Sequence, residues 1–199
     1  MKEQVKHLHG LVLAGGQSSR MGSDKSQLEF HGIPQLDYAF QLLLSFCEQV
    51  YTSVSTKARL SEYKNPIRDQ FSFGGPIDGI LSALELKPDV TWVTLPVDMP
   101  LVDQATISLL IQNRDKTKMA TCFRHKGDGN LEPLLTIWEP QCRKPLLDFC
   151  QKGESSPHQF LKTADVLYVD VADEKPFLSI NSSADLAILQ QHLANRNKK

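Results

Sequence analysis

The stretch from Leu8 to Lys25 reads LHGLVLAGGQSSRMGSDK and decides how the rest of the chain is interpreted. Its first part, Leu8 to Ala14, is a short apolar run broken by glycine, which is typical of a buried strand. Gly15 and Gly16 follow at once and allow the backbone to turn sharply while exposing N–H groups at close range. A strand that ends in such a turn predicts a phosphate-binding loop near the start of the chain.

Two basic residues flank Gly22 in the same stretch. Arg20 can donate two hydrogen bonds to phosphate oxygens, and Lys25 supplies a mobile positive charge. The stretch is not a P-loop, because Ser23 and Asp24 separate Gly22 from Lys25, and it does not match G-x-G-x-x-G. A glycine turn with two solvated cations is the simpler interpretation, but the order of these residues after a first strand favours phosphate binding.

The remainder of the chain alternates between helix-like and strand-like segments. Predicted helices are Gln35–Glu48, Pro76–Leu86, Ala105–Arg114 (with Asp103 as its cap), Arg143–Cys150 and Ser183–Leu193; predicted strands are Leu8–Ala14, Val50–Ser55, one ending at Asp69, Val90–Leu95, Met119–Arg124, Leu131–Trp138 and Val166–Val171. This alternation predicts an α/β domain with a mainly parallel sheet. The GDGN turn predicts an antiparallel strand pair in the second half.

Composition narrows the class of protein. With 199 residues, of which 41% are apolar, the chain can bury one core, so we expect a single domain over residues 1–194 and a polar tail at 195–199. A net charge of −1 argues against nucleic-acid and membrane-surface partners. The chain lacks a C-x-x-C pair, a run of about 18 apolar residues and an apolar leader, so free thiols and a soluble cytoplasmic protein are expected.

Candidate binding residues follow the predicted strands, where open α/β sheets bind ligands. Asp98, in LPVDMP, is a candidate ligand for Mg²⁺ bridging nucleotide phosphates, with a turn-forming aspartate as the alternative. Asp69 is a candidate for a ribose or base contact, and Pro76 begins a helix whose N–H groups could face the same ligand. An ordinary loop and cap explain these residues almost as well. His125 and His158 are interpreted as lone residues.

The stretch LAGGQSSRMGSDK closely resembles the signature L-A-G-G-x-S-x-R-M-G-x-D-K of molybdenum cofactor guanylyltransferases. The resemblance continues through HGIP, GGPIDGI, PVDMP, EPLL and INSSADL, in the family's order. It implies a Rossmann-like nucleotidyltransferase fold with helices on both faces of the sheet. It also implies Mg²⁺-dependent transfer of GMP from GTP to molybdopterin (Mo-molybdopterin) with release of pyrophosphate, and transient contact with molybdoenzymes or their chaperones.

The resemblance also assigns roles to individual positions. The implied nucleotide-binding residues are Leu13, Ala14, Gly15, Gly16, Lys25, Ser53, Asp69, Asp98 and Asn181. Among them, Lys25 would contact the phosphates and Asp98 would bind Mg²⁺, and Arg20 would join these two in stabilising the charge that develops as pyrophosphate leaves. Three positions depart from the family pattern: Ser53 replaces asparagine, Asp78 replaces a small residue and Ser183 replaces proline.

Two other functions stay open. A cytidylyltransferase for the same cofactor, or a sugar-phosphate nucleotidyltransferase, would share the fold. The LAGG segment and Asn181 favour guanine, because cytidine-specific relatives resemble L-A-A-G and often carry aspartate at the late position. A nucleotide-binding regulatory protein without turnover is the alternative from another class, and the presence of Arg20, Lys25 and Asp98 weighs against it.

Overall fold

The structure, a computed structural model, describes residues 8–14, 28–182, 184–187 and 189. The predictions for Gly15, Gly16, Arg20, Lys25, Ser183 and the tail 195–199 therefore lie outside the described residues. In chain order the elements are β1 (Leu8–Leu13), α1 (Gln35–Leu44), β2 (Gln49–Val54), β3 (Pro66–Arg68), α2 (Pro76–Leu86), β4 (Thr91–Pro96), α3 (Gln104–Gln112), β5 (Ala120–His125), β6 (Leu131–Trp138), α4 (Arg143–Gln151), α5 (Pro157–Thr163) and β7 (Val166–Val171). Short 3-10 turns lie at Leu60–Glu62, Pro140–Cys142 and Lys175–Phe177.

The described strands form one sheet of 7 strands in the order β3-β2-β1-β4-β6-β5-β7. β6 runs antiparallel to both of its neighbours, β4 and β5, whereas the other pairings are parallel. The predicted α/β architecture, with a mainly parallel sheet and an antiparallel pair in the second half, is confirmed. Because β6 is reversed, its first residues lie at the sheet edge where β1 to β4 end.

The sheet is covered on both faces, as the alternation of side chains along β1 illustrates. Leu8 and Val12 pack into the core beneath α1 and α3, whereas Leu11 and Leu13 pack into a second core beneath α2, α4 and α5. Each helix contributes an apolar stripe, so the sheet is buried on both sides and its ligand-binding capacity is confined to its edges and strand ends.

Element boundaries differ from the predictions mainly where helices end. α1 stops at Leu44, four residues before Glu48, where the last turn tightens: the N–H groups of Ser45 and Phe46 donate to carbonyls three residues back, at 3.2 Å and 2.9 Å. α5 was not predicted, although Ser156 accepts from the Gln159 N–H at 3.2 Å, an ordinary N-cap followed by proline. The Asp103 cap of α3 is confirmed, with Thr106 N–H donating to Oδ1 at 3.0 Å.

The structure bears on two expectations from the sequence, those for the cysteines and for membrane-spanning segments. All four cysteines are buried free thiols, and burial raises the pKa of Cys47 to about 12. The expected free thiols are therefore present, and buried thiols of this kind stay protonated and are poor nucleophiles. Among the described helices, each is too short or too polar to cross a bilayer.

Candidate active site

The ends of the first parallel strands are tied to one another by backbone hydrogen bonds. The Ala14 N–H donates to the Ser53 carbonyl at 3.2 Å, and the Val97 N–H donates to the Leu13 carbonyl at 3.3 Å. The Asp69 N–H donates to the last carbonyl of β2 at 3.0 Å. The structure therefore brings the predicted residues Leu13, Ala14, Ser53 and Asp69 to one edge of the sheet, directly before the segment that begins with Gly15.

The turn that carries Asp98 is held from outside by three segments distant in sequence. These contacts are the Ile180 N–H donating to the Asp98 carbonyl at 2.8 Å, His31 Nε2 lying 2.8 Å from the Pro100 carbonyl oxygen, and the Tyr38 hydroxyl donating to the Val102 carbonyl at 3.0 Å. The first of them places Asn181, the residue after Ile180, beside the Asp98 turn. The turn so held places the half-buried Asp98 carboxylate just after the end of β4.

Ser53 and Asp69 face each other across the ends of β2 and β3. The Ser53 hydroxyl donates to Asp69 Oδ1 at 3.4 Å. The pKa of the Asp69 carboxyl is raised to about 6, mainly by burial and further by the nearby charge of Asp78, while the hydrogen bond from Ser53 partly opposes the rise. Ser53 therefore has a role different from the nucleotide contact that the resemblance implies for asparagine at this position. Its hydroxyl donates a hydrogen bond to Asp69.

The structure gives a reason for aspartate at position 78, where the family pattern has a small residue. Its carboxylate, 6% exposed, accepts the N–H groups of Phe73 and Gly74 at 2.9 Å each and so organises the loop that precedes α2. Ser82 extends this support, because its hydroxyl accepts the Gln70 N–H at 2.8 Å. The start of α2 therefore carries a carboxylate as well as helix N–H groups, and this carboxylate is engaged by the preceding loop.

Gly79, one turn into α2, is required for the helix to approach β2. A Cβ at this position would lie 2.0 Å from Ser53 Oγ, far inside contact distance. Gly79 is not among the residues predicted from sequence, although its place after GGPID offered a signal. Its missing side chain lets Ser53, Asp69 and Asp78 lie close together at this edge.

The interpretation of His125 as a lone residue is wrong. Its Nε2 lies 2.7 Å from Glu132 Oε1, and its Nδ1 lies 3.5 Å from Glu174 Oε2. Burial raises the pKa of Glu132, His125 lowers it in part, and the charges of Asp98 and Glu174 raise it again. Glu132 therefore lies close enough to Asp98 for the two carboxylates to interact electrostatically. The sequence did not predict this contact because the two residues come from different halves of the chain.

The edge carries two carboxylate pairs, Asp69 with Asp78 and Asp98 with Glu132. Such an edge repels a polyphosphate unless cations offset the charge. Oxygen ligands of this kind suit Mg²⁺, and a divalent cation at Asp98 would also relieve the repulsion from Glu132. Asn181 would add an amide oxygen nearby. The residues present therefore fit a hard divalent cation, and Arg20 and Lys25 are candidates for further positive charge.

Comparison with known proteins agrees with this architecture. Residues 10–167 match the family model described as the MobA-like NTP transferase domain. The chain is 31% identical over 185 residues to the molybdenum cofactor biosynthesis bifunctional protein of Synechocystis, covering 89% of this chain and 52% of that protein, so it spans about half of that relative. It is 29% identical to a probable molybdenum cofactor guanylyltransferase of Trichormus variabilis, covering 94% and 92% of the two chains.

A solved structure from Archaeoglobus fulgidus, described as molybdopterin-guanine dinucleotide biosynthesis protein A, shares the fold. The TM-score is 0.75 at 21% identity, with 94% of this chain and 99% of that chain covered. Fold and strand-end site together define a nucleotidyltransferase, as the sequence predicted. The chain belongs to the MobA-like NTP transferase domain family.

Proposed function

We propose that this nucleotidyltransferase moves GMP from GTP to molybdopterin (Mo-molybdopterin), releasing pyrophosphate, and that it requires Mg²⁺. The observation that carries the proposal is the convergence of Ala14, Ser53, Asp69 and Asp98 at one edge of the sheet. This edge directly precedes the glycine-containing segment with its two basic residues. Relatives of similar length that are named molybdenum cofactor guanylyltransferases support the choice of reaction.

The nucleoside would bind at the ends of β1 to β3. In this proposal the backbone of Leu13, Ala14, Gly15 and Gly16 approaches the guanine nucleotide, since glycine permits close contact with N–H groups. Asp69, supported by Ser53, lies where a carboxylate could accept hydrogen bonds from a ribose hydroxyl or from the donor edge of guanine. The partly buried position of Asp69 strengthens such bonds relative to water.

The phosphate end of the reaction would lie at Asp98. An oxygen of the acceptor phosphate attacks the α-phosphorus of GTP, the bond to the β-phosphate breaks, and the electrons leave with pyrophosphate. Positioning and charge stabilisation account for the rate in such a reaction, so it needs no side-chain nucleophile. Arg20 and Lys25 would hold the departing phosphates, while Asp98 and Asn181 would hold Mg²⁺, which when bound neutralises phosphate charge.

Two rival functions make different predictions. A cytidylyltransferase or sugar-phosphate nucleotidyltransferase would share the carboxylates at the strand ends but prefer another nucleotide or acceptor. A regulatory protein would bind GTP without releasing pyrophosphate. The family match and the relatives named molybdenum cofactor guanylyltransferases favour an enzyme over a regulatory protein.

The deciding experiment measures pyrophosphate release with GTP, CTP or ATP, with and without molybdopterin, at fixed Mg²⁺. We expect release with GTP only when molybdopterin is present. Equal or faster release with CTP would overturn the guanine assignment, and binding of GTP without release in any mixture would support the regulatory rival. Lys25→Ala should lower GTP affinity and turnover together, whereas the matched control Lys152→Ala, at an exposed position after α4, should keep both.

A further inference from the structure

Three side chains with metal-binding atoms meet at the outer end of the β5–β6 hairpin. They are His125 at the end of β5, Asp128 in the hairpin turn, and Glu174 just before the 3-10 turn Lys175–Phe177. Within the described part of the chain, one ligand atom from each of these residues lies within 4.8 Å of the other two. Nothing in the proposed nucleotidyl transfer uses this cluster.

The His125 ring lies between two carboxylates, those of Glu132 and Glu174. Its Nε2 side faces Glu132 Oε1 at 2.7 Å, and its ring packs against Phe177 with centroids 5.2 Å apart. A metal-binding histidine typically directs its second ring nitrogen at a carboxylate, which fixes the tautomer and raises the basicity of the ligating nitrogen. Glu132 lies on the Nε2 side of the ring, and Nδ1 faces Glu174 Oε2 at 3.5 Å.

The hairpin backbone holds two of the three ligands in a fixed relation. The His125 N–H donates to the Asn130 carbonyl at 2.8 Å, and the Asn130 N–H donates to Asp128 Oδ1 at 2.9 Å. The Gly129 N–H closes the turn on the His125 carbonyl at 2.9 Å. Asp128 and His125 are thus preorganised, and preorganised ligands lose less entropy on binding an ion.

The third ligand comes from another segment and completes an open rim. Glu174 is 50% exposed at its side chain, whereas that of His125 is only 11% exposed. Gly127 leaves room for it, since a Cβ there would lie 3.3 Å from Glu174 Oε1. An ion pair between His125 and Glu174 explains the 3.5 Å distance between them. It does not explain why Asp128 also places a ligand atom within 4.8 Å of both, or why Glu132 contacts the other side of the His125 ring.

We propose that His125, Asp128 and Glu174 form a second cation site, for a first-row divalent metal such as Zn²⁺. One imidazole and two carboxylates suit such borderline cations, whereas Mg²⁺ prefers oxygen ligands alone. The site is separate from the Mg²⁺ position proposed at Asp98, with Glu132 between them. A bound ion would link the hairpin to the segment that leads to Ile180, whose N–H holds the Asp98 turn.

The test is a calorimetric titration of the full-length, tag-free, chelator-stripped protein with Zn²⁺ in millimolar Mg²⁺. We expect one saturable Zn²⁺ equivalent in the wild type and a raised melting temperature when it is bound. His125→Ala and Glu174→Gln should each abolish the saturable event. His158→Ala removes a histidine elsewhere, and Asp98→Asn removes a carboxylate from the candidate active site, so both should retain the Zn²⁺ equivalent.

Several outcomes would overturn the site. These are no saturable Zn²⁺ binding, binding that survives in Glu174→Gln, binding that disappears in His158→Ala, or displacement of Zn²⁺ by millimolar Mg²⁺. Glu174→Gln keeps the assay decisive even where His125→Ala fails to fold, because residue 174 is exposed and the change preserves shape. Since the readout is metal binding, the result does not depend on which nucleotide the enzyme uses.

Discussion

The two halves of the sheet reach the candidate active site from opposite ends of their strands. In the parallel half, Asp69 and Asp98 follow the carboxyl ends of β3 and β4. In the other half, β6 runs in the reverse direction, so Glu132 reaches the same edge from the strand's amino end. Counting five residues outward from the paired Val93 and Ile137 leads to Asp98 on one strand and Glu132 on the other. The direction of a strand therefore determines whether the residues at its start or at its end lie at the candidate active site.

The largest effect is expected in the parallel half, from Asp98→Asn. The change keeps the shape but removes the negative charge that a hard cation requires. Turnover should fall at least roughly 10²-fold, the size expected when an important electrostatic contact to the transition state is lost. Steady-state pyrophosphate release across a Mg²⁺ titration measures it, and high Mg²⁺ should restore part of the rate.

Metal-free GTP binding provides the control for Asp98→Asn. It should change little, because the glycine-containing segment and Lys25 remain, and the fold should persist because Ile180 contacts the backbone carbonyl of residue 98 and not its side chain. Overlapping Mg²⁺ curves for the two proteins would assign Asp98 to turn formation, a role that asparagine fills equally well.

The next effect tests how tightly the parallel half is packed. Gly79→Ala should lower the free energy of unfolding by about 1–3 kcal/mol, the usual range for overpacking, because the new Cβ meets Ser53 Oγ. Adding Ser53→Ala removes that oxygen and should recover part of the loss. Urea denaturation of both single variants and the double variant gives the coupling. Additive losses would mean that α2 moves away as a unit.

A smaller effect is expected from the antiparallel half, in Glu132→Gln. The carboxylate acts on Asp98 through its charge and is shared with His125, so its removal should lower turnover roughly tenfold, or about 1.4 kcal/mol. The Mg²⁺ concentration needed for half-maximal rate should rise while the KM for GTP stays near wild type. A loss as large as that of Asp98→Asn would make the two halves equal contributors, and wild-type kinetics would remove Glu132 from the site.

The contrast between the halves also explains what the sequence could predict. Parallel strands end at a common edge, so Asp69 and Asp98 could be grouped from their positions at the ends of predicted strands. The alternation of helices and strands predicted the sheet, and Pro76–Leu86, Leu131–Trp138 and Val166–Val171 have the predicted bounds. These features follow from patterns among residues that are close together in the sequence.

The missed features depend on contacts between distant residues. The proximity of Glu132 to Asp98 depends on the antiparallel pairing of β4 with β6, which strand patterns alone do not fix. The support of Asp69 by Ser53 requires β2 and β3 to be neighbours, and Asp78 gains its role only when the loop folds back onto α2. His125 looked isolated because neither partner is its sequence neighbour: Glu132 meets it across the β5–β6 hairpin, and Glu174 follows β7.

The smallest effect concerns the pH dependence of stability through Asp69. Its pKa is about 6 in the folded protein, against about 3.9 in an unfolded chain, so between these values the folded state holds a proton that the unfolded state has lost. Asp69 therefore stabilises the folded state below about pH 3.9, and this contribution is lost as pH rises through about 6.

Asp69→Asn removes this titration. The difference in melting temperature, Asp69→Asn minus wild type, should therefore increase from about pH 5 to pH 7.5. Ser53→Ala removes the hydrogen bond that lowers this pKa and should move the same transition to higher pH. Thermal melts at matched ionic strength measure both trends, and a pH-independent difference between Asp69→Asn and wild type would show that the Asp69 carboxyl titrates as an ordinary surface group.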